Sequence, residues 1–185
     1  MDFPNLETER LRLTQLTTND VASIFELFSD PKVIQFYDFE EFRDDLQAEI
    51  FINRMKERFE AGTGIRWGIR LKETEKFVGT CGFNSWSKNM KSGVIGYDLL
   101  PVFWGQGIMT EAVSIVLKSA FSGKLPCNMI NRVEADTIPG NFGSEAVLLK
   151  LGFKEEGLRR QSGYWKNQFH DLKCFGLIKS EYVEI

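Results

Sequence analysis

The sequence predicts an α+β fold: a largely antiparallel, twisted sheet with one parallel pair of strands, flanked by helices. Three observations predict it. Strand-like segments succeed one another from residue 65 to residue 100 with short turns between them, the pattern of antiparallel neighbours. The last of them runs into Trp104-Gly105-Gln106-Gly107-Ile108-Met109-Thr110-Glu111-Ala112, a glycine loop that opens a helix. That helix leads to a further strand, and a helical crossover is what two parallel neighbours require. At 185 residues the chain can bury a substantial core, and no linker, repeat or low-complexity segment divides it. Residues 1–185 therefore read as a single domain.

Each element has a local reason. Arg10 to Leu16 alternates polar residues with Leu11 and Leu13 and reads as a strand. Thr17, Thr18 and Asn19 offer N-caps for a helix with Val21, Ile24, Phe25 and Phe28 on one face, ended by Asp30-Pro31. A long helix follows from about Asp44 to Glu60, with Leu46, Ile50, Met55 and Phe59 as its expected apolar face and Gly62 as its C-cap. Ile65–Leu71, Phe77–Phe83 and Val94–Leu100 are the three successive strands, and 72–76 is a charged turn. Ile108–Phe121 is the crossover helix, with Ile108, Ala112, Ile115, Val116 and Ala120 at helical spacing. Arg132–Asp136 is a short strand, Asn141–Leu151 a helix closed by Gly152, and the remainder a terminal hairpin turning near Asn167. The tally is about seven strands and four helices.

Composition narrows the function classes. A net charge of −3 and a pI of about 5.4, without a basic stripe, argue against a nucleic-acid partner. Cys81, Cys127 and Cys174 are odd in number and widely spaced, which fits neither a disulfide framework nor a metal site. Met1-Asp2-Phe3-Pro4 shows no secretory signal pattern, and no apolar run approaches a membrane span of roughly 18–20 residues. The expectation is a cytoplasmic protein with no metal and no membrane contact.

Two segments carry chemistry. The glycine loop between a strand and a helix directs free backbone N–H groups at one point, and the helix dipole there favours an anion; a phosphate-bearing cofactor is the first expectation. Pro139-Gly140-Asn141-Phe142-Gly143-Ser144 opens the following helix, and Asn141 and Ser144, three apart, share one face of its first turn. If the flanking strands are parallel neighbours, both helix starts lie beyond the same sheet end, where such sheets bind ligands.

The run from Gly96 to Ala112 resembles the acetyl-CoA-binding segment of GNAT-superfamily N-acetyltransferases. Arg132-Val133-Glu134-Ala135, Asn141-Phe142-Gly143-Ser144, Leu151-Gly152-Phe153, the opening 6–13 and Ser29-Asp30-Pro31 are similar to the RimJ/RimL subgroup, which modifies N-terminal amines of ribosomal proteins. The resemblance implies a GNAT-like sheet whose central parallel pair is splayed. It implies that the N–H groups of Gly105, Gln106, Gly107, Ile108, Met109 and Thr110 hold the coenzyme A pyrophosphate. It further implies that the backbone of Asp98 and Leu99 pairs with the pantetheine arm, that the Leu99 N–H polarises the thioester carbonyl, that Asn141 bonds the pantetheine and that Ser144 sits near the sulfur. The chain departs from the pattern at Trp104, where Gln or Arg is usual, at Met109, where a small residue is common, and at Leu148, where a general-acid tyrosine often stands.

The implied reaction is attack of a neutral amine on the acetyl-CoA thioester. An α-amine, with a pKa of about 7.7–8.0, needs less help than a lysine at about 10.4. Glu134 is the first candidate base, in a strand where Arg132, Glu134 and Asp136 share a face; paired surface charges are the competing reading. Asp98 is the second candidate. His170 reads as a hairpin residue, and no histidine pairs with a cysteine for an acyl-cysteine route. The acidic run from Asp38 to Asp45 could steer a cationic acceptor or simply favour a helix start. The aromatics among it, Phe36, Tyr37, Phe39 and Phe42, read as packing ahead of an acceptor pocket. A dinucleotide oxidoreductase would want glycine at Thr110, and a P-loop would want Lys after Gly107, so both are disfavoured. A non-catalytic acyl-CoA sensor stays open. So do acceptors other than a protein N-terminus: a polyamine, an amino sugar or an aminoglycoside. The chain is expected to be a monomer or homodimer.

Overall fold

In the computed structural model, residues 2–184 are described. Among them eight strands form one sheet: β1 (Leu6–Glu7), β2 (Leu11–Gln15), β3 (Ile65–Leu71), β4 (Phe77–Ser87), β5 (Ser92–Leu99), β6 (Arg132–Thr137), β7 (Lys154–Trp165) and β8 (Gln168–Ile178). Their spatial order is β1-β2-β3-β4-β5-β6-β8-β7. Neighbours are antiparallel except β5 and β6, which are parallel and joined through helix α4 (Ile108–Phe121). The other helices are α1 (Val21–Phe28), the single turn α2 (Pro31–Ile34), α3 (Asp45–Glu60) and α5 (Phe142–Lys150). The expected architecture is therefore present, with one strand and one helix more than the sequence reading. Both additions are short. β1 is two residues pairing with Arg12 and Leu13, and α2 is one turn opened by Asp30, whose carboxylate accepts the Lys32 N–H at 2.8 Å. Such elements are below the length at which periodicity can be read.

Strand alternation separates two layers. Leu11, Leu13, Ile65, Trp67, Ile69, Val133 and Ala135 turn toward α4, whose Ile108, Ala112, Val113, Val116, Leu117 and Ala120 are buried. Each large aliphatic buried there contributes about 1.5–3 kcal/mol. A second cluster joins Ile24, Leu27 and Phe28 of α1 to Ile52 and Met55 of α3, with Leu16, Phe77 and Leu100 beneath. Phe28, Tyr37, Phe39, Phe42 and Phe51 pack ring to ring within it, so these aromatics do hold helices to the sheet.

The face of α3 differs from the expectation. Ala48, Ile52, Met55 and Phe59 are buried, whereas Leu46 and Ile50 are 60% and 54% exposed. The buried four keep the i, i+4, i+7, i+11 spacing of one stripe; Leu46 lies two residues before Ala48, about 200° round the helix. Asp44 caps this helix by accepting the Gln47 N–H at 3.0 Å.

The feature that positions the site is the short contact between β5 and β6. They pair only from Ser92 with Arg132 to Val94 with Glu134. Beyond that point β5 continues on β4 to Leu99, and β6 continues on β8 to Thr137. A V-shaped gap opens between them, with α4 starting beyond one arm and α5 beyond the other.

Candidate active site

The glycine loop is built to leave donors free. Gly107 is the N-cap of α4 at φ 74°, a left-handed conformation that glycine adopts without strain, and it carries no side-chain cap. The first bond of the helix runs from the Glu111 N–H to the Gly107 carbonyl at 3.1 Å. Among the described residues no acceptor takes the N–H groups of residues 105–110. The other long helices differ: α3 is capped by Asp44 and α5 by Asn141. Six amides without partners at a helix start fit a diphosphate.

The inner arm of the V supplies a second set. The Leu100 N–H donates to the Val78 carbonyl at 2.9 Å, so the Leu99 N–H, one residue earlier, faces the opposite edge and the gap. The Leu99 carbonyl faces that edge too, and the Trp104 indole Nε1 donates to it at 2.8 Å. Trp104, the departure from the usual loop opening, thus binds the strand edge beside the loop.

Across the gap, the Asn141 Oδ1 accepts the Ser144 N–H at 3.2 Å. Its carboxamide NH2 is left over as a donor. The Ser144 Oγ lies 2.9 Å from the Tyr97 hydroxyl, which donates to the Ser144 carbonyl at 3.1 Å. Tyr97 therefore spans from β5 to α5 and ties the two arms together. Burial pushes its hydroxyl well above the ordinary tyrosine range, against the bond from Ser144. Sequence reasoning gave Tyr97 no role. The available signal was its place beside Asp98, because neighbours on a strand point to opposite faces.

The two candidate bases differ in their commitments. Asp98 is buried, and its Oδ2 accepts from the Arg66 guanidinium and from the Thr80 hydroxyl at 2.9 Å. The same guanidinium reaches the Tyr37 hydroxyl at 3.2 Å and the Asn84 Oδ1 at 3.0 Å. Burial, with Asp98 next, pushes the Tyr37 hydroxyl well up. The Asp98 carboxylate is thus an anchor in a closed polar cluster beneath the aromatic layer. Glu134 stands at the last paired position, where the strands part, and is half-exposed. Its Oε1 accepts from the Arg132 Nε at 2.7 Å, and Arg132 also grips Glu156. The hydrogen bonds it donates to the Glu156 and Glu134 carboxylates raise the Arg132 guanidinium above its ordinary range. The neighbouring Asp136 pairs with Arg159. The charges on this strand face are all ion-paired, Arg132 with Glu134 and Asp136 with Arg159, and among the described residues no donor takes the Glu134 Oε2.

The remaining candidates lie apart. His170 stacks on Trp165 at 4.2 Å near the hairpin tip, and Lys166 at that tip donates to the Ile34 carbonyl at 2.7 Å. Lys166 and Asn167, both at positive φ, make the turn. Among the described residues no three His, Cys, Asp or Glu side chains gather as a metal site, and no helix is long and apolar enough to cross a membrane.

Comparison with known proteins adds the following. The family model for the acetyltransferase (GNAT) domain matches residues 10–154. The uncharacterized N-acetyltransferase YoaA of Bacillus subtilis (strain 168) is 33% identical over 177 residues, covering 96% of this chain and 98% of its own. Two solved structures share the fold at 21% identity and a TM-score of 0.82. One is the microcin C7 self-immunity acetyltransferase MccE in complex with acetyl-CoA and AMP, with 92% of this chain and 93% of that chain covered. The other is RimL, a ribosomal-protein alpha-N-acetyltransferase in complex with coenzyme A, with 95% and 98% covered.

Proposed function

The chain belongs to the GNAT acetyltransferase family, and from that premise we propose that it moves the acetyl group of acetyl-CoA to a primary amine, the α-amine of a protein N-terminus, in the cytoplasm. One observation carries the cofactor assignment: the unpartnered amides of residues 105–110 stand beside an open strand edge at Leu99. The amides of Gly105 to Thr110 would hold the diphosphate, the backbone of Asp98 and Leu99 and the Asn141 amide the pantetheine arm. The thioester supplies an activated acetyl group.

What the chain adds is orientation and charge control. The Leu99 N–H is fixed by the β4 pairing and offers a preorganised donor to developing negative charge on the acyl oxygen. The Ser144 hydroxyl, 2.9 Å from that of Tyr97, would give a hydrogen bond to the sulfur as the C–S bond breaks. The electron pair of that bond leaves with the sulfur. Glu134 takes the proton from the incoming ammonium, directly or through water. Carboxylates as a class are weak bases beside amines, which favours an acceptor of low intrinsic pKa. An α-amine at about 7.7–8.0 meets that need better than a lysine at about 10.4.

MccE carries a second reading, because a protein of the same fold was solved with AMP and acetyl-CoA. On that reading the acceptor is a small-molecule amine. Incubation with acetyl-CoA and a panel of N-terminal peptides, polyamines, amino sugars and aminoglycosides, read by mass spectrometry and thiol release, tests both. Acetylated peptides support the first reading and acetylated small amines the second. Coenzyme A binding without any thiol release would leave a sensor in place of an enzyme.

A further inference from the structure

Arg10 lies almost a hundred positions from the glycine loop in sequence and against it in space. Its Nη1 donates to the Gln106 carbonyl at 3.2 Å and its Nε to the Glu111 Oε2 at 2.6 Å. Its own backbone N–H donates to the Glu111 Oε1 at 3.0 Å, and the Thr8 hydroxyl donates to the same oxygen at 2.5 Å. Arg10 Nη2 stands 3.7 Å from where a Cβ on Gly107 would be. One side chain thus fastens the loop at Gln106 and the first helical turn at Glu111.

Peptide geometry says which side it acts from. Among the described residues no peptide is cis, and in a trans peptide the C=O and N–H point in opposite directions. A guanidinium on the Gln106 oxygen is therefore behind the loop, and the Gly107 N–H of the same peptide faces forward. The cation aligns that peptide dipole with its positive end toward the anion site. Glu111 presents the opposite difficulty. Its carboxylate sits in the first turn of α4, close to where a diphosphate would bind. Burial works against its ionisation, but bonds from Thr8 and Arg10 hold its carboxyl below the usual range, so it is charged. An uncompensated carboxylate there would repel a phosphate.

The geometry points to Arg10 as a positioning residue for acetyl-CoA: it locks the diphosphate loop from behind and offsets the Glu111 charge. This rests on the acetyl-CoA reading of the loop. An exposed ion pair contributes little to stability by itself, so a merely structural role predicts almost no change in cofactor binding.

The test compares wild type with Arg10→Met, Arg10→Lys, Glu111→Gln and the Arg10→Met/Glu111→Gln double variant. Coenzyme A affinity is read by calorimetry, and kinetics are run with acetyl-CoA and with S-acetylpantetheine, which lacks the diphosphate. Arg10→Met is expected to raise the coenzyme A Kd and the acetyl-CoA KM on the order of tenfold, with kcat at saturation within about twofold. Arg10→Lys keeps the charge but loses the fork, and should recover part of the loss. The double variant should bind better than Arg10→Met, because the unpaired carboxylate is gone. With S-acetylpantetheine, kcat/KM should not change. Unchanged affinity in Arg10→Met would overturn the inference. So would equal losses with acetyl-CoA and S-acetylpantetheine, or a double variant no better than Arg10→Met. If Arg10→Met does not fold, Arg10→Lys and Glu111→Gln carry the same comparison. Failure of the wild type to bind coenzyme A would fall on the cofactor reading instead.

Discussion

Glu134 is held by Arg132 at 2.7 Å, so its position is defined before any acceptor arrives. Glu134→Gln keeps the size and an acceptor oxygen but cannot take a proton. Turnover at neutral pH is expected to fall about 10²-fold, the low end for a general base, because an α-amine is already partly neutral there. The pH–rate profile should also move to higher pH, since the amine must then lose its proton to water. A profile measured from pH 6 to 10 checks this, and an unmoved one assigns Glu134 to the charge network alone. Tyr97 is the second residue to test. Its buried hydroxyl stays protonated over that range and lies 2.9 Å from the Ser144 Oγ. Tyr97→Phe should lower kcat roughly 3- to 10-fold, the value of one neutral hydrogen bond, and leave the acetyl-CoA KM near wild type. Adding Ser144→Ala to Tyr97→Phe should cost little more. Glu134, Ser144 and Leu99 came forward as candidates through the resemblance to the family. Arg132 as the partner of Glu134 was legible in the alternation of 132, 134 and 136, whereas Tyr97 beside Ser144 and Arg66 beside Asp98 were not, because each of those contacts joins residues that only folding brings together.

At the scale of elements, the start of α4 is where sequence and conformation agree most closely. Gly105 and Gly107 both adopt φ 74°, and α4 has no side-chain cap to compete for its amides. Gly107→Val forces a β-branched residue into the left-handed region, at a cost of about 1–2 kcal/mol or more. It also sets a side chain beside the Arg10 guanidinium. The expected result is a folded protein, with a thermal transition lowered by a few degrees, that no longer gives a calorimetric signal with coenzyme A. Normal affinity in that variant would remove the loop from the site. The same periodicity argument that located α4 placed α3 correctly and put Met55 and Phe59 on its buried face, but took Leu46 and Ile50 where Ala48 and Ile52 are buried. Leu46 and Ile50 are as apolar as Ile52, and only the packing of α1 against the sheet decides which stripe is covered.

At the scale of the whole molecule, the sheet carries a buried charge pair on the face covered by the aromatic layer. Arg66 and Asp98 side chains are each 3% exposed. Removing one partner leaves an uncompensated buried charge, so Arg66→Met should destabilise the fold by about 3–5 kcal/mol in denaturant unfolding. The double change Arg66→Met/Asp98→Leu should recover most of that loss, because a buried ion pair and a well-packed apolar pair are often close in energy. Loss of only a few tenths in Arg66→Met would mean that water reaches Asp98. Local sequence set the order of the long strands and helices, the crossover and the glycine loop at the start of α4. These depend on period, caps and glycines, which act over a few residues. Only the tertiary structure decided that β5 and β6 part after Val94 and Glu134, that Asp98 belongs to Arg66, that Tyr97 bridges to Ser144 and that Arg10 backs the loop. Each of those is an encounter between segments far apart in the chain, fixed by the global packing of the sheet and carried by no local pattern.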